Sequence, residues 1–221
     1  MLKRKIELGM ALLLLLAMIV AVRKLSLSVT NEAFEEQEYT VVLDAGHGGA
    51  DPGKVGVNGA LEKEINLQIA KKIKELLEQQ GVNVIMTRED DQMQESKIAD
   101  MKKRVAIMNE IAPELVVSIH QNSYSDARVR GAQVFYYKGS KDGKMAAERM
   151  QEILKVIDPE NTREIKENDT FYLLKKTKSP TIIVECGFLS HPDECEKLTD
   201  EAYQKEIAKA ICEGIIKWLD K

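Results

Sequence analysis

Histidine is scarce in this chain, three in 221 residues, and two of the three stand where chemistry can be done. His47 follows Asp44-Ala45-Gly46 and precedes Gly48-Gly49, so it sits in a glycine-rich loop whose backbone bends freely. His120 comes directly after the apolar run Leu115-Val116-Val117-Ser118-Ile119. Two carboxylates join them: Glu62 at the head of an amphipathic stretch, and Glu185 between Thr181-Ile182-Ile183-Val184 and Cys186-Gly187-Phe188. A hydrolytic zinc takes three nitrogen or oxygen ligands from the protein, commonly two His and one carboxylate, and keeps one position open for water. His47, Glu62 and His120 can supply that set. Each also has a plainer use, since a lone His is often a hydrogen-bonded structural residue and a first-turn Glu often only answers the helix dipole. Glu185 leaves a low-dielectric strand, so its proton affinity should be raised. The plainer use of Glu185 is to accept backbone N–H bonds or to pair with Arg88.

These residues are useful only if the chain brings them together. Thr40–Leu43, Val82–Thr87, Leu115–Ile119, Val134–Tyr137 and Thr181–Val184 are short apolar runs of the kind that become strands covered on both faces. Between them, Glu62–Gln80 repeats Ile65, Ile69, Ile73, Leu76 and Leu77 at helical spacing and stops at Gly81. Further helices are expected at about Ile98–Ile111, before the breaker Pro113, at Met145–Val156, and at about Tyr203–Leu219. Alternation of this kind predicts an α/β fold, a single domain with a mostly parallel twisted sheet flanked by helices on both faces. His47, His120 and Glu185 then each lie just past the carboxyl end of a strand, where open sheets of this class place their ligands.

Lys3, Arg4 and Lys5 precede an apolar run from Gly9 to Val22 that Arg23 and Lys24 close. The run is shorter than the ~20 residues that span a bilayer comfortably, and residues 1–24 read as an export signal or a membrane anchor. No small-x-small cleavage site follows, which favours an anchor over a removed leader. Residues 25–38 are polar and acidic and suit a linker, leaving 39–221 for the catalytic domain. With 32 basic against 36 acidic residues the net charge is -4, and no basic stripe interleaved with aromatics is present, so nucleic acid is not an expected partner. Cys186, Cys195 and Cys212 are an odd number without paired short spacing and read as ordinary thiols of the core.

Several motifs, in order, carry a family resemblance. Asp44-Ala45-Gly46-His47-Gly48-Gly49 with Asp51-Pro52-Gly53, then Glu62 with Asn66-Leu67, Thr87-Arg88, Ser118-Ile119-His120-Gln121-Asn122 and Val184-Glu185-Cys186-Gly187-Phe188-Leu189 resemble the zinc-dependent N-acetylmuramoyl-L-alanine amidases. The resemblance runs from about Thr40 to the C-terminus. It implies Zn2+ held by His47, Glu62 and His120, Glu185 as the catalytic glutamate, and peptidoglycan as substrate. Asn161-Thr162-Arg163 ahead of Phe171-Tyr172-Leu173-Leu174, together with the N-terminal segment and the lack of wall-binding repeats, is most similar to the germination-specific members. Those strip peptide from muramic acid so that a deacetylase can complete the muramic lactam of spore cortex. That likeness implies export across the cytoplasmic membrane, into the forespore intermembrane space, with contact to the membrane through the N-terminal segment and an accessory protein as a further partner. The pattern departs at His191, where Asn is usual, and at Met108, where Ala is usual before Asn109; His191 could alter the rim of the cleft.

Two rival readings keep the same residues: a zinc peptidase acting on the stem peptide, and a wall-binding pseudoenzyme, against which an intact Glu185 argues. Arg88 and Arg104 are candidates for gripping a stem carboxylate, or else for buried ion pairs with Asp44 or Glu185. Asp51 and Glu64 are candidates for orienting a ligand.

Overall fold

Strand β1 (Thr40–Ala45) buries five of its six residues on both faces, and that burial sets its neighbours. In the computed structural model, which describes residues 39–92 and 96–220 together with Met10 and Met18, β1 lies between β2 (Asn83–Met86) and β3 (Leu115–Asn122), parallel to both. Beyond β3 come β6 (Thr181–Phe188), β4 (Gln133–Tyr137) and β5 (Lys166–Asn168), in the order β2-β1-β3-β6-β4-β5. Every pairing is parallel except β4 against β6. The chain leaves β1 towards β2 on one side and later reaches β3 on the other, so the crevice between the ends of β1 and β3 is the switch point of the sheet.

Helices cover both faces. The first, α1 (Glu62–Glu78), buries Ile65, Ile69, Ile73 and Leu77. It shares one face with α3 (Lys141–Ile157) and α6 (Glu201–Leu219), and the core there includes Leu43, Val117, Val184, Met150 and Trp218. The opposite face is thinner: Val42 and Val116 meet Met108 of α2 (Lys97–Ile111) and Leu173 of the single-turn α4 (Tyr172–Lys176). Because strand side chains alternate, Asp44, Ser118 and His120 share that thinner face with Val42 and Val116. The sheet thus presents its polar strand-end residues to the side that is least filled.

Helix starts are fixed by local caps: Ser96 accepts from the Ala99 N–H, Ser140 from the Gly143 N–H and Asp200 from the Tyr203 N–H. The cap at Ser140 begins α3 four residues before the expected Met145. α2 stops at Ala112, left-handed at φ 48°, immediately before Pro113. Three elements went unforeseen: β5, α4, and α5 (Pro192–Thr199), whose cap is His191. The expected leader and linker, residues 1–38, lie outside the described residues apart from Met10 and Met18. Among the described residues no helix is long and apolar enough to cross a membrane. The three cysteines are free and buried, as the sequence predicted.

Candidate metal centre

His47 reaches the crevice only because its loop is gripped from behind. Its own φ is 63°, a left-handed conformation that a residue with a Cβ adopts at a cost, and two arginines hold the neighbouring carbonyls. Arg88 donates from Nε to the Ala45 carbonyl at 2.8 Å and from Nη2 to the Gly46 carbonyl at 3.0 Å. Arg104 donates to the Ala45 carbonyl at 2.6 Å and to the His47 carbonyl at 2.7 Å. Arg104 also pairs with Asp44 at 2.9 Å and with Asp100 at 2.6 Å. Both guanidiniums thus grip the loop: of the two uses left open by the sequence, Arg104, 3% exposed, takes the buried pair with Asp44 and makes none with Glu185, while Arg88, 8% exposed, binds carbonyls and no carboxylate among the described residues.

Glu62, in the first turn of α1, is 2% exposed and central to the cluster. Its Oε1 lies 3.2 Å from His47 Nε2 and 2.9 Å from His120 Nδ1, and also accepts from the Gln121 N–H at 3.1 Å. Its Oε2 accepts from the Lys54 N–H at 2.8 Å. Burial alone would raise the pKa of Glu62, but the two imidazoles and their hydrogen bonds outweigh it and hold the group well below the usual carboxylate range. Burial likewise opposes the charge on His120, yet Glu62 wins and pushes its pKa up to about 9. The three groups thus favour a positive charge between them, and a metal bound there would compete with protons for the same atoms.

The imidazole faces are set by their surroundings. His47 Nδ1 bonds Asp51 Oδ2 at 2.9 Å, which leaves Nε2 towards Glu62. The other oxygen of Asp51 meets Lys97 at 2.6 Å. Asp51 therefore orients a candidate ligand as expected, whereas Glu64 is exposed. His120 packs over Gly46 so closely that a Cβ there would lie 2.2 Å from its Cε1, and only glycine fits. Asn66 completes the frame, donating to the Gly46 carbonyl at 3.0 Å and accepting from Gln121 at 3.2 Å.

One ligand atom from each of His47, Glu62 and His120 lies within 4.8 Å of the others, the only such group among the described residues. Two imidazoles that line a cleft, with one carboxylate oxygen buried between them, fit a hydrolytic zinc with a position left for water. Glu185 stands beside them, paired in register with His120 across β3 and β6. Burial pushes its pKa up to about 7, against the pull of His120 and His47, and its Oε2 is buried without a hydrogen-bond partner among the described residues. The cleft, about 280 Å³, runs from Asp51 and Lys97 past His47, His120 and Glu185 to Met101, Phe171 and Tyr172. His191 caps α5, its Nδ1 accepting from the Glu194 N–H at 3.4 Å, and is not among the residues lining that cleft. Met108 is buried against Val42, Val116 and Leu173, and the side chain of neighbouring Asn109 bonds the Lys176 carbonyl at 3.0 Å and the Lys178 N–H at 2.8 Å.

Comparison with known proteins gives the family. The family model for N-acetylmuramoyl-L-alanine amidase matches residues 41–217. The chain is 35% identical over 187 residues to the germination-specific N-acetylmuramoyl-L-alanine amidase of Bacillus subtilis (strain 168), covering 80% of this chain and 78% of that protein. Among solved structures, the CwlD amidase from Clostridioides difficile in complex with the GerS lipoprotein superposes with a TM-score of 0.79 at 43% identity, over 82% of this chain and 98% of that one. The catalytic domain of CwlV, an N-acetylmuramoyl-L-alanine amidase from Bacillus (Paenibacillus) polymyxa var. colistinus, gives 0.75 at 32% identity, over 82% and 98%.

Proposed function

The chain belongs to the N-acetylmuramoyl-L-alanine amidase family and cleaves the amide between N-acetylmuramic acid and L-alanine in peptidoglycan; on that premise we propose that it does so as a zinc hydrolase in which His47, Glu62 and His120 hold the metal and Glu185 moves the proton. The observation that carries this reading is the convergence of two imidazoles and a buried carboxylate beside a second carboxylate whose Oε2 has no hydrogen-bond partner among the described residues. Zinc in such a set supplies Lewis acidity towards a carbonyl and makes water available as a nucleophile at neutral pH. Asp51 keeps Nε2 of His47 turned to the site, and Arg88 and Arg104 fix the loop that carries it. Glu185, held in register with His120, takes the proton from the attacking water and returns it to the departing L-alanine nitrogen, which leaves poorly as an anion.

Elemental analysis tests the ligand set. His47→Ala, Glu62→Ala and His120→Ala should each lower bound zinc well below the ~1 ion per chain expected of a three-ligand site, and chelation should abolish hydrolysis by the unaltered chain until zinc is restored. Unchanged metal content in all three variants would end the assignment. Product analysis separates the reaction from stem-peptide cleavage: it should yield peptide with a free N-terminal L-alanine.

The pH profile carries a sign. Glu185 acts as base only when ionised, so kcat/KM should fall as pH drops through its pKa. Burial puts that value at about 7, and a divalent ion beside it would lower it, so the acid limb is expected at or below about 7. An acid limb well above that pH in the zinc-loaded protein would remove Glu185 from the role.

The biological setting we infer is the building of spore cortex, with a muramic acid deacetylase acting next and an accessory protein at hand. The likeness to a germination-specific amidase and to an amidase in complex with a lipoprotein supports it. Residues 1–24 would serve as export signal or anchor and 25–38 as linker, so that the catalytic residues 39–221 act outside the cytoplasm, in the forespore intermembrane space.

A further inference from the structure

Across the strand ends, the groups described so far occupy only part of the sheet. His47 follows β1, His120 ends on β3 and Glu185 on β6; β4 and β5 continue beyond them. On β4, Gln133 is the register partner of Glu185, and directly opposed residues of an antiparallel pair point to the same face. Just before β5 stands Arg163, half-buried, donating from Nη1 to Gln133 Oε1 at 3.2 Å and from Nε to the Arg130 carbonyl at 2.7 Å. Its guanidinium lies 4.5 Å from the ring centre of Phe188. The acid that acts on it from a distance, Glu194, has both oxygens engaged elsewhere, accepting from the Gly131 N–H at 2.9 Å and the Phe188 N–H at 2.8 Å. Arg163 makes no ion pair among the described residues, and two hydrogen bonds leave part of its five-donor fork open to a carboxylate.

The position of Arg163 is built rather than incidental. Asn161, 5% exposed, accepts from the Arg163 N–H at 3.0 Å and donates to the Ala132 carbonyl at 2.8 Å. Gly131, at φ 98°, makes room, since a Cβ there would lie 2.5 Å from Asn161 Oδ1. A guanidinium stacked on an aromatic ring and tied at two edges loses little freedom on meeting an acid.

We propose that Arg163, with Gln133 beside it, is the subsite for a carboxylate of the peptide stem, one residue beyond the L-alanine whose nitrogen is released. The proposal rests on the hydrolase reading above for its direction. Glu185 must reach the leaving nitrogen, and the candidate ligands lie on its β3 and β1 side, so the peptide continues over β4 and β5. Strands are spaced ~4.8 Å apart and an extended residue spans ~3.3–3.6 Å, so the acid group of the second stem residue falls within reach of the fork.

The test is binding, read without turnover. The probes are L-alanyl-isoglutamate and its carboxamide, L-alanyl-isoglutamine, titrated by calorimetry into the full chain. The acid is expected to bind about 10- to 100-fold more tightly than the amide, the range for a charge-assisted contact. Arg163→Met, which retains an apolar stack on Phe188, should bring the two affinities together, and Arg163→Lys should restore part of the difference. A purely structural arginine would weaken both probes alike. Equal affinities for acid and amide in the unaltered chain, no binding of either, or an undiminished difference in Arg163→Met would each overturn the proposal. Hydrolysis of muramoyl peptide, measured separately, reports on the metal and Glu185, so that reading can fail while this one stands.

Discussion

Glu185→Gln is expected to leave zinc content unchanged and to lower kcat by about 10²–10⁴-fold, the usual worth of a positioned general acid and base. The substitution keeps size and one hydrogen-bonding oxygen, and Glu185 makes no hydrogen bond through Oε2 among the described residues. The loss should therefore appear in turnover and not in thermal stability. An amide cannot take the proton of the attacking water or hand one to the departing amine. Metal analysis on the same sample separates this variant from a ligand variant, and near-normal kcat with full zinc occupancy would sink the role.

The second large effect falls on stability. Asp44, 1% exposed, meets Arg104, Thr87 Oγ1 at 2.6 Å and Ser118 Oγ at 2.6 Å. Asp44→Ala leaves the 3% exposed guanidinium of Arg104 with Asp100 as its remaining acid, and removing one partner of a buried pair costs up to ~3–5 kcal/mol. Urea unfolding should show it as a lower midpoint at similar slope. The pH dependence has a definite sign. Burial alone would raise the pKa of Asp44, but Arg104, Ser118 and Thr87 outweigh it and hold it at about 2 against an ordinary 3.8. A carboxyl lowered by folding stabilises above its unfolded pKa and loses that contribution as pH falls towards the folded one. The contribution should be complete above about pH 5, fade between about pH 4 and pH 2, and be absent from Asp44→Ala. A loss under about 1 kcal/mol would mean that the pair is solvated in solution.

How far the sequence led depended on the range of the forces involved. β1, β3 and β6 were readable because parallel strands buried on both faces are continuous apolar runs, and their ends delivered His47, His120 and Glu185 to one crevice. Glu62 was readable as a first-turn acid and as a candidate partner of both imidazoles, but its distances to them were not, since only folding closes them. Arg88 and Arg104 stayed open between two uses in the sequence for a related reason. A guanidinium suits a substrate carboxylate and a loop carbonyl equally well, and the strained φ of His47 that demands the carbonyl grip leaves no mark in the sequence. The direction of β4 was also illegible, because periodicity is blind to the sense of a strand. α5 was legible in principle, with His191 at its cap, Pro192 in its first turn and Asp193-Glu194 following. Arg163 stood within a quoted motif, yet nothing in the sequence showed that it would face Gln133.

The pairing of β3 with β6 couples assembly to chemistry in a way that reaches past this site. Sliding one strand by a single residue would turn Glu185 away from the cleft into the main apolar core and bring Val184 or Cys186 to its level, a costly burial of charge even though the backbone bonding would be kept. Such a misaligned product would be less stable and catalytically dead. For refolded or redesigned material, specific activity is therefore a finer gauge of correct strand alignment than circular dichroism, which would score both products alike.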